Sequence, residues 1–218
     1  MERGTTDRHV CGRRPSAGRA DPEPQIREAW NGGQYEKAAT LLLVNYGPEI
    51  EGFLAAWMQD RRAAAEAFSL FAQDLWVGLP KFEWRCSVRG WAYTLARNAG
   101  RRHAKAEQRR QQRQVPMPDR LLSEIAAQTR TRTDTYLKTD VKDRMRQLRE
   151  RLPIEDQQIL ILRVGQNLSW PEIAMVLAED GLAATPEELG RDAARLRKRF
   201  QLAKDRLREM AREEGLLK

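Results

Sequence analysis

The 218-residue chain carries 39 Lys and Arg against 31 Asp and Glu, a net charge of +8, with 41% hydrophobic and 7% aromatic residues. That balance suits two small domains with modest cores better than one large domain, while a mean hydropathy of -0.72 and the lack of any apolar run approaching about 18 residues exclude a membrane-spanning helix. Two scattered cysteines, Cys11 and Cys86, and two histidines, His9 and His103, cannot assemble a zinc site, and no glycine-rich phosphate loop is present, so neither metal nor cofactor is expected.

Residues 1–24 mix Gly, Arg, Pro, Ser and Asp with almost no large apolar side chain. Ordering them buries nothing that offsets the entropy, so a disordered tail is expected. The tail also lacks the apolar stretch of a secretory signal, which makes a reducing cytoplasm the expected compartment. From Pro24 to Met58, Ile26, Trp30, Ala38, Leu41, Leu42, Tyr46, Ile50, Phe53, Leu54 and Trp57 recur at three-and-four spacing, interrupted at Asn31-Gly32-Gly33 and at Gly47-Pro48. This predicts two or three helices. Arg62 to Trp76 predicts another, with Phe68, Phe71, Leu75 and Trp76 on its apolar face and Gly78 and Pro80 after it; a loop from Lys81 to Gly90 follows. The next helix, Trp91 to Gln114, starts on Trp91, Leu95 and Ala99 and then turns polar and basic, so its second half is expected to project from the core. Pro116 and Pro118 close it, and the interdomain linker is placed at 115–135.

Beyond the linker, Val141, Met145, Leu148 and Leu152 predict one amphipathic helix, and Ile159, Leu160, Leu162 and Val164 a second that ends at Gly165. Ser169-Trp170-Pro171-Glu172 is a capping box with proline in the first turn; it opens a short helix that buries Ile173, Ala174 and Leu177 and stops by Gly181. Thr185-Pro186-Glu187-Glu188 repeats the signature. The last helix carries Leu189, Ala193, Leu196, Phe200, Ala203, Leu207 and Met210 as one apolar stripe, with Arg191, Arg195 and Lys198 opposite and Arg197 and Gln201 on a flank. With no strand pattern in competition, the expected fold is all-α: two small helical domains, residues 25–114 and 136–218, joined by a flexible linker.

Two compact blocks hold the excess charge, net +6 over residues 97–114 and net +5 over residues 191–218, beside an acidic segment of net -5 over residues 151–190. Separated basic blocks suit a protein that grips a polyanion at two places, although two solvated helix faces fit the charge alone equally well. A short capped helix, a turn and a long helix with a basic outer face form a helix-turn-helix, whose second helix enters the major groove.

The order of motifs goes further. Leu152-Pro153, Leu160-Ile161-Leu162-Arg163, Leu168-Ser169-Trp170-Pro171-Glu172-Ile173-Ala174 and the run from Leu196 to Glu209 resemble domain 4 of extracytoplasmic-function (group IV) sigma factors of the sigma-70 family. Tyr46-Gly47-Pro48, Leu79-Pro80-Lys81-Phe82 and the run Trp91 to Asn98 resemble domain 2 of the same family. The resemblance covers about residues 35–114 and 138–213. It implies a non-enzymatic bacterial factor that binds RNA polymerase core through the beta and beta-prime subunits and directs initiation at promoters, domain 4 reading duplex DNA near position -35 and domain 2 holding the melted strand near -10. An anti-sigma factor or a Ser/Thr kinase is an implied regulatory partner.

For the DNA contacts this assigns Arg191, Arg195, Arg197, Lys198, Arg199 and Gln201 in the last helix, because arginine can bond guanine O6 and N7 together while other cations neutralise phosphates. In the first domain it assigns Arg101, Arg102 and Lys105 to phosphates, Trp84 and Arg85 to an unpaired base, and Asn98 as a matching family position that equally suits a bond to neighbouring backbone. Trp91 reads as core. The polymerase-binding helix carries Glu66, Ser69, Leu70, Gln73 and Asp74, but Ala63-Ala64-Ala65-Glu66 and Ser69-Leu70 stand where the family is acidic. That depletion makes Ser69 a candidate phosphorylation site. A second departure lies between Ala174 and Leu196, eleven residues longer than the family pattern, close to three helical turns, so the reading helix is either extended or broken near Gly190. The rival expectation is a helix-turn-helix regulator or sequestering protein that does not initiate transcription.

Overall fold

The computed structural model describes residues 21–113, 140–178 and 185–217, and the fold is all-α, with no strand among the described residues. The expected tail falls outside them up to residue 20, as does the linker at 115–135, while Glu23 and Pro24 already belong to the first helix. Helix α1 spans Glu23–Asn31 with prolines at its start, and Gly33, at a φ of 70° that suits a residue without Cβ, turns the chain into α2, Tyr35–Met58. The Trp30 indole donates to the Leu79 carbonyl at 2.7 Å, fastening α1 to a distant turn.

Helix α2 runs through Gly47-Pro48, where the sequence predicts an interruption. Proline there forfeits one backbone hydrogen bond. Burial of Leu42, Tyr46, Ile50, Phe53 and Leu54 along one face outweighs that loss. Helix α3, Arg61–Gly78, begins at Asp60, whose carboxylate accepts from the Arg62 and Ala63 amides, and a 3-10 turn at Leu79–Lys81 follows. Helix α4, Val88–Arg113, starts one turn earlier than expected. Its close approach to α2 depends on Gly100, where an added Cβ would lie 2.5 Å from the Trp57 ring.

In the C-terminal half, α5 (Asp140–Glu150) leads to α6 (Ile154–Leu160), which widens into a π-helical turn at Ile161–Gly165 and stops there, as predicted. Helix α7 is Trp170–Leu177 and α8 is Pro186–Glu213. At 28 residues α8 measures about 42 Å. It is continuous through Gly190, so no break falls there and the helix reaches back to Pro186. The buried residues of both halves form one contiguous apolar cluster, from Ile26 through Tyr93 to Phe200.

At Gly190 an added Cβ would meet nothing within 4 Å, and the residue lies inside α8. Gly190→Ala is therefore expected to stabilise the protein by about 0.5–1 kcal/mol, through a less free unfolded chain and a better helix former. Urea denaturation midpoints check this, and a lowered midpoint would place a break in the helix at that residue.

Candidate nucleic-acid interface

Two reciprocal caps set the helix pair α7–α8. The Glu172 carboxylate accepts from the Ser169 amide at 2.9 Å and hydroxyl at 2.7 Å, while the Glu172 amide donates to Ser169 Oγ at 3.4 Å. Thr185 and Glu188 repeat the arrangement at 2.8, 2.9 and 3.3 Å. Burial alone would raise the Glu172 carboxyl, but the bonds from Ser169 and Ser87 and the charge of Arg89 hold it below the ordinary carboxylate range. Helix α7 buries Ile173, Ala174 and Val176 against Ala193, Leu196, Phe200 and Ala203 of α8, and Trp170 meets Phe200 edge to face at 5.3 Å.

With that stripe inward, Arg191, Arg195, Arg197, Lys198 and Gln201 are exposed. They differ in what holds them. Arg195 bonds Asp192 at 3.3 Å, Gln201 accepts from Lys204 at 3.2 Å, and the Arg197 guanidinium sits 5.7 Å from the Trp170 ring centre. Arg163 sits on the same ring at 5.2 Å, a partnership that no local sequence signal announces. Arg191 and Lys198 make no ion pair with another described residue. Arg199 is half-buried and clamps Asp156 and Glu155 at the start of α6; the bond to Asp156 holds its pKa above the ordinary value. Glu188 is engaged in the cap, and the backbone bond from Thr185 keeps its exposed carboxyl below the usual range.

In the N-terminal half, Trp84 has a left-handed φ of 55° and is half-buried, 5.0 Å from Phe82 and 5.9 Å from Trp30 by ring centres, with Arg27 5.1 Å above its ring. Its indole nitrogen is buried without a hydrogen-bond partner. Arg85 beside it is exposed and pairs with Glu83 at 3.2 Å. Along α4, Trp91 is buried, Asn98 is half-buried, and Arg101 and Lys105 are exposed with no ion pair to another described residue.

The first turn of the basic half of α4 does not simply project. Arg102 pairs with Asp74 of α3, and His103 Nε2 lies 3.0 Å from Glu66 Oε2, with Arg62 on the same carboxylate at 3.2 Å. His103 first, and then Arg62, lower the Glu66 pKa. The exposed Ser69 hydroxyl donates to the Ala65 carbonyl at 3.1 Å, Gln73 is exposed, and Leu70 is half-buried. The structure thus gathers the residues expected at polymerase on one helix and ties its two carboxylates to α4.

No family model matches this sequence, and no curated protein does. Among solved structures, the chain is similar to the sigma factor RpoE of Bartonella quintana in complex with the anti-sigma factor NepR, at 14% identity and a TM-score of 0.48, over 75% of this chain and 94% of that one.

The division of cations on α8 has a measurable consequence. Arg199→Ala leaves Asp156, whose side chain is only 9% exposed, without its partner, and is expected to lower stability by about 1–2 kcal/mol. Lys198→Ala, one residue away on the exposed face, is expected to stay within about 0.5 kcal/mol of the parent. Urea denaturation of both variants tests this; equal stabilities would remove the structural role of Arg199.

Proposed function

We propose that this chain is a bacterial, cytoplasmic transcription initiation factor of the extracytoplasmic-function sigma type. In this reading it binds RNA polymerase core and directs it to promoters, with no covalent chemistry of its own. The observation that carries the reading is the helix pair: α7 and α8, each opened by a reciprocal cap and locked by Trp170 and Phe200, leave Arg191, Arg195, Arg197, Lys198 and Gln201 exposed along a helix of the width that the major groove admits. Arg101 and Lys105 on α4, with Arg85 and Trp84 in the loop before it, supply a second basic surface for the melted strand. The order of motifs in both halves supports assigning α3 to polymerase.

One observation favours a second reading. Glu66 and Asp74 already serve His103, Arg62 and Arg102, which leaves α3 little free negative charge for a basic partner. A DNA-binding regulator that does not recruit polymerase fits that feature.

Run-off transcription with purified core polymerase on templates from the host genome separates the two. Start sites that appear only when this protein is added support the initiation factor, and DNA binding without initiation supports the regulator. Alanine at Arg191, Arg195, Arg197, Lys198 and Gln201 in turn is expected to relax the preference at one or more upstream base pairs, by about 1–3 kcal/mol for a residue that reads a base edge. If all five variants keep every preference, α8 is not the reader.

A modified Ser69 adds about -1.5 to -2 charges to the depleted face of α3. Ser69→Glu, and protein phosphorylated at Ser69, are expected to bind core polymerase more tightly than the parent, with Ser69→Ala unchanged. Equal affinities across the set, measured by titration with labelled core, would remove the switch.

A further inference from the structure

The N-terminal ends of α4 and α7 meet. Arg89, in the first turn of α4, places Nε and Nη2 on the Glu49 carboxylate of α2 at 2.7 and 2.9 Å, and the same Nη2 donates to the Gln166 carbonyl at 2.8 Å, in the turn that leads to α7. Ser87 Oγ caps α4 by accepting from the Gly90 amide at 3.1 Å and donates to Glu172 Oε1 at 2.8 Å. One carboxylate therefore joins the cap of α7 to the cap of α4. Between these bonds Met175 lies on Gly90, where an added Cβ would come 2.7 Å from its terminal methyl. Gln59 and Gln157 bond across the same seam at 3.3 Å.

The seam covers something. A cavity of about 400 Å³ separates the loop after α3 from the helix pair, lined by Phe82, Arg85, Cys86, Trp91, Met175 and Leu189, so the loop assigned to the unpaired strand faces the first turns of α8. Burial in this place pushes the Cys86 thiol up to about 11.

We propose that Arg89, Ser87 and Glu172 form a latch that holds the α7–α8 pair over the loop at residues 82–87, and that this closed chain is a resting state which opens before both basic surfaces engage DNA. The need for opening rests on the proposed function and follows from length. Promoter elements near -35 and -10 lie about 25 base pairs apart, roughly 85 Å of duplex at 3.4 Å per base pair. Two halves in direct contact cannot occupy both at once. The hydrogen bonds that cross the seam can be exchanged for bonds to water, whereas opening also exposes the contact of Met175 with Gly90 and part of the shared apolar cluster, so the latch is the polar part of a mixed seam.

Full-length protein with Cys11→Ala, which leaves Cys86 as its one thiol, provides the test. Gly90→Leu wedges the seam at Met175 while replacing a poor helix former in α4, and Arg89→Ala removes the bond to Gln166. Each is compared with the parent by small-angle X-ray scattering and by the rate of Cys86 alkylation with N-ethylmaleimide, with circular dichroism as a check on helix content. The expected result is a radius of gyration larger by several ångströms and alkylation faster by about tenfold or more at parental helicity. If Arg89→Ala fails to fold, Gly90→Leu decides. Unchanged dimensions, or unchanged Cys86 reactivity in a chain that has opened, would overturn the latch. Neither measurement uses DNA or polymerase, so failure of the latch is distinguishable from failure of the initiation reading, which transcription alone decides.

Discussion

The Glu172 carboxylate is the interaction on which the relative placement of the helices depends. Its Oε2 closes the cap of α7 with Ser169, and its Oε1 takes the hydroxyl of Ser87, which itself caps α4. A half-buried carboxylate keeps its charge only when donors surround it, and three donors, the Ser169 amide and the Ser169 and Ser87 hydroxyls, do so here with one arginine nearby. The orientation of α7 is then fixed from its first turn. Because α7 positions α8 through Ile173, Ala174, Trp170 and Phe200, the direction of the basic outer face is set by a cap rather than by the cations it displays.

Charge on α8 is consequently of two kinds. Arg199 points to the side where Asp156 and Glu155 wait at the start of α6, and its charge is used inside the protein. Arg191 and Lys198 remain hydrated, and a hydrated cation on a rigid helix is the kind that exchanges its counterions for phosphate. Arg197 is intermediate, since Trp170 steadies its guanidinium while leaving it exposed. A planar donor held on an aromatic ring loses less freedom on meeting a planar base edge than one that moves freely. Trp170 therefore belongs to the candidate interface by support, although its side chain lies between Arg163, Arg197 and Phe200.

What the sequence revealed followed the range of the interaction. Both capping boxes were legible because donor and acceptor lie three residues apart, and the stripe Leu189 to Met210 was legible because helical period is local. The same arithmetic of three turns, which kept that stripe in phase across the added residues, is realised in a continuous α8. Gly47-Pro48 misleads because local preference there opposes burial of Ile50, Phe53 and Leu54, and burial wins. Trp84 reads as an open-loop aromatic from its polar neighbours, but Trp30 and Arg27, more than fifty residues upstream, occupy its surroundings. The bonds from Arg89 to Glu49 and Gln166 span 40 and 77 residues, and no period or motif encodes a partner at that distance.

In the initiation reading the carboxylates of α3 are claimed from two directions, and electrostatics sets the terms. Opposite charges at hydrogen-bond distance near a protein surface attract by a few kcal/mol before solvation and side-chain entropy are counted, and much less afterwards. Glu66 is half-exposed and held by His103 and Arg62, so an incoming basic surface meets a charge already shared by two donors. Asp74 is less exposed and held by Arg102. A partner that draws on Asp74 releases Arg102 from α3 toward solvent, adding a cation to the α4 surface beside Arg101 and Lys105. In the initiation reading, contact with polymerase on α3 and contact with DNA on α4 would then reinforce each other through one ion pair, because each partner relieves the neutralisation that weakens the other's site.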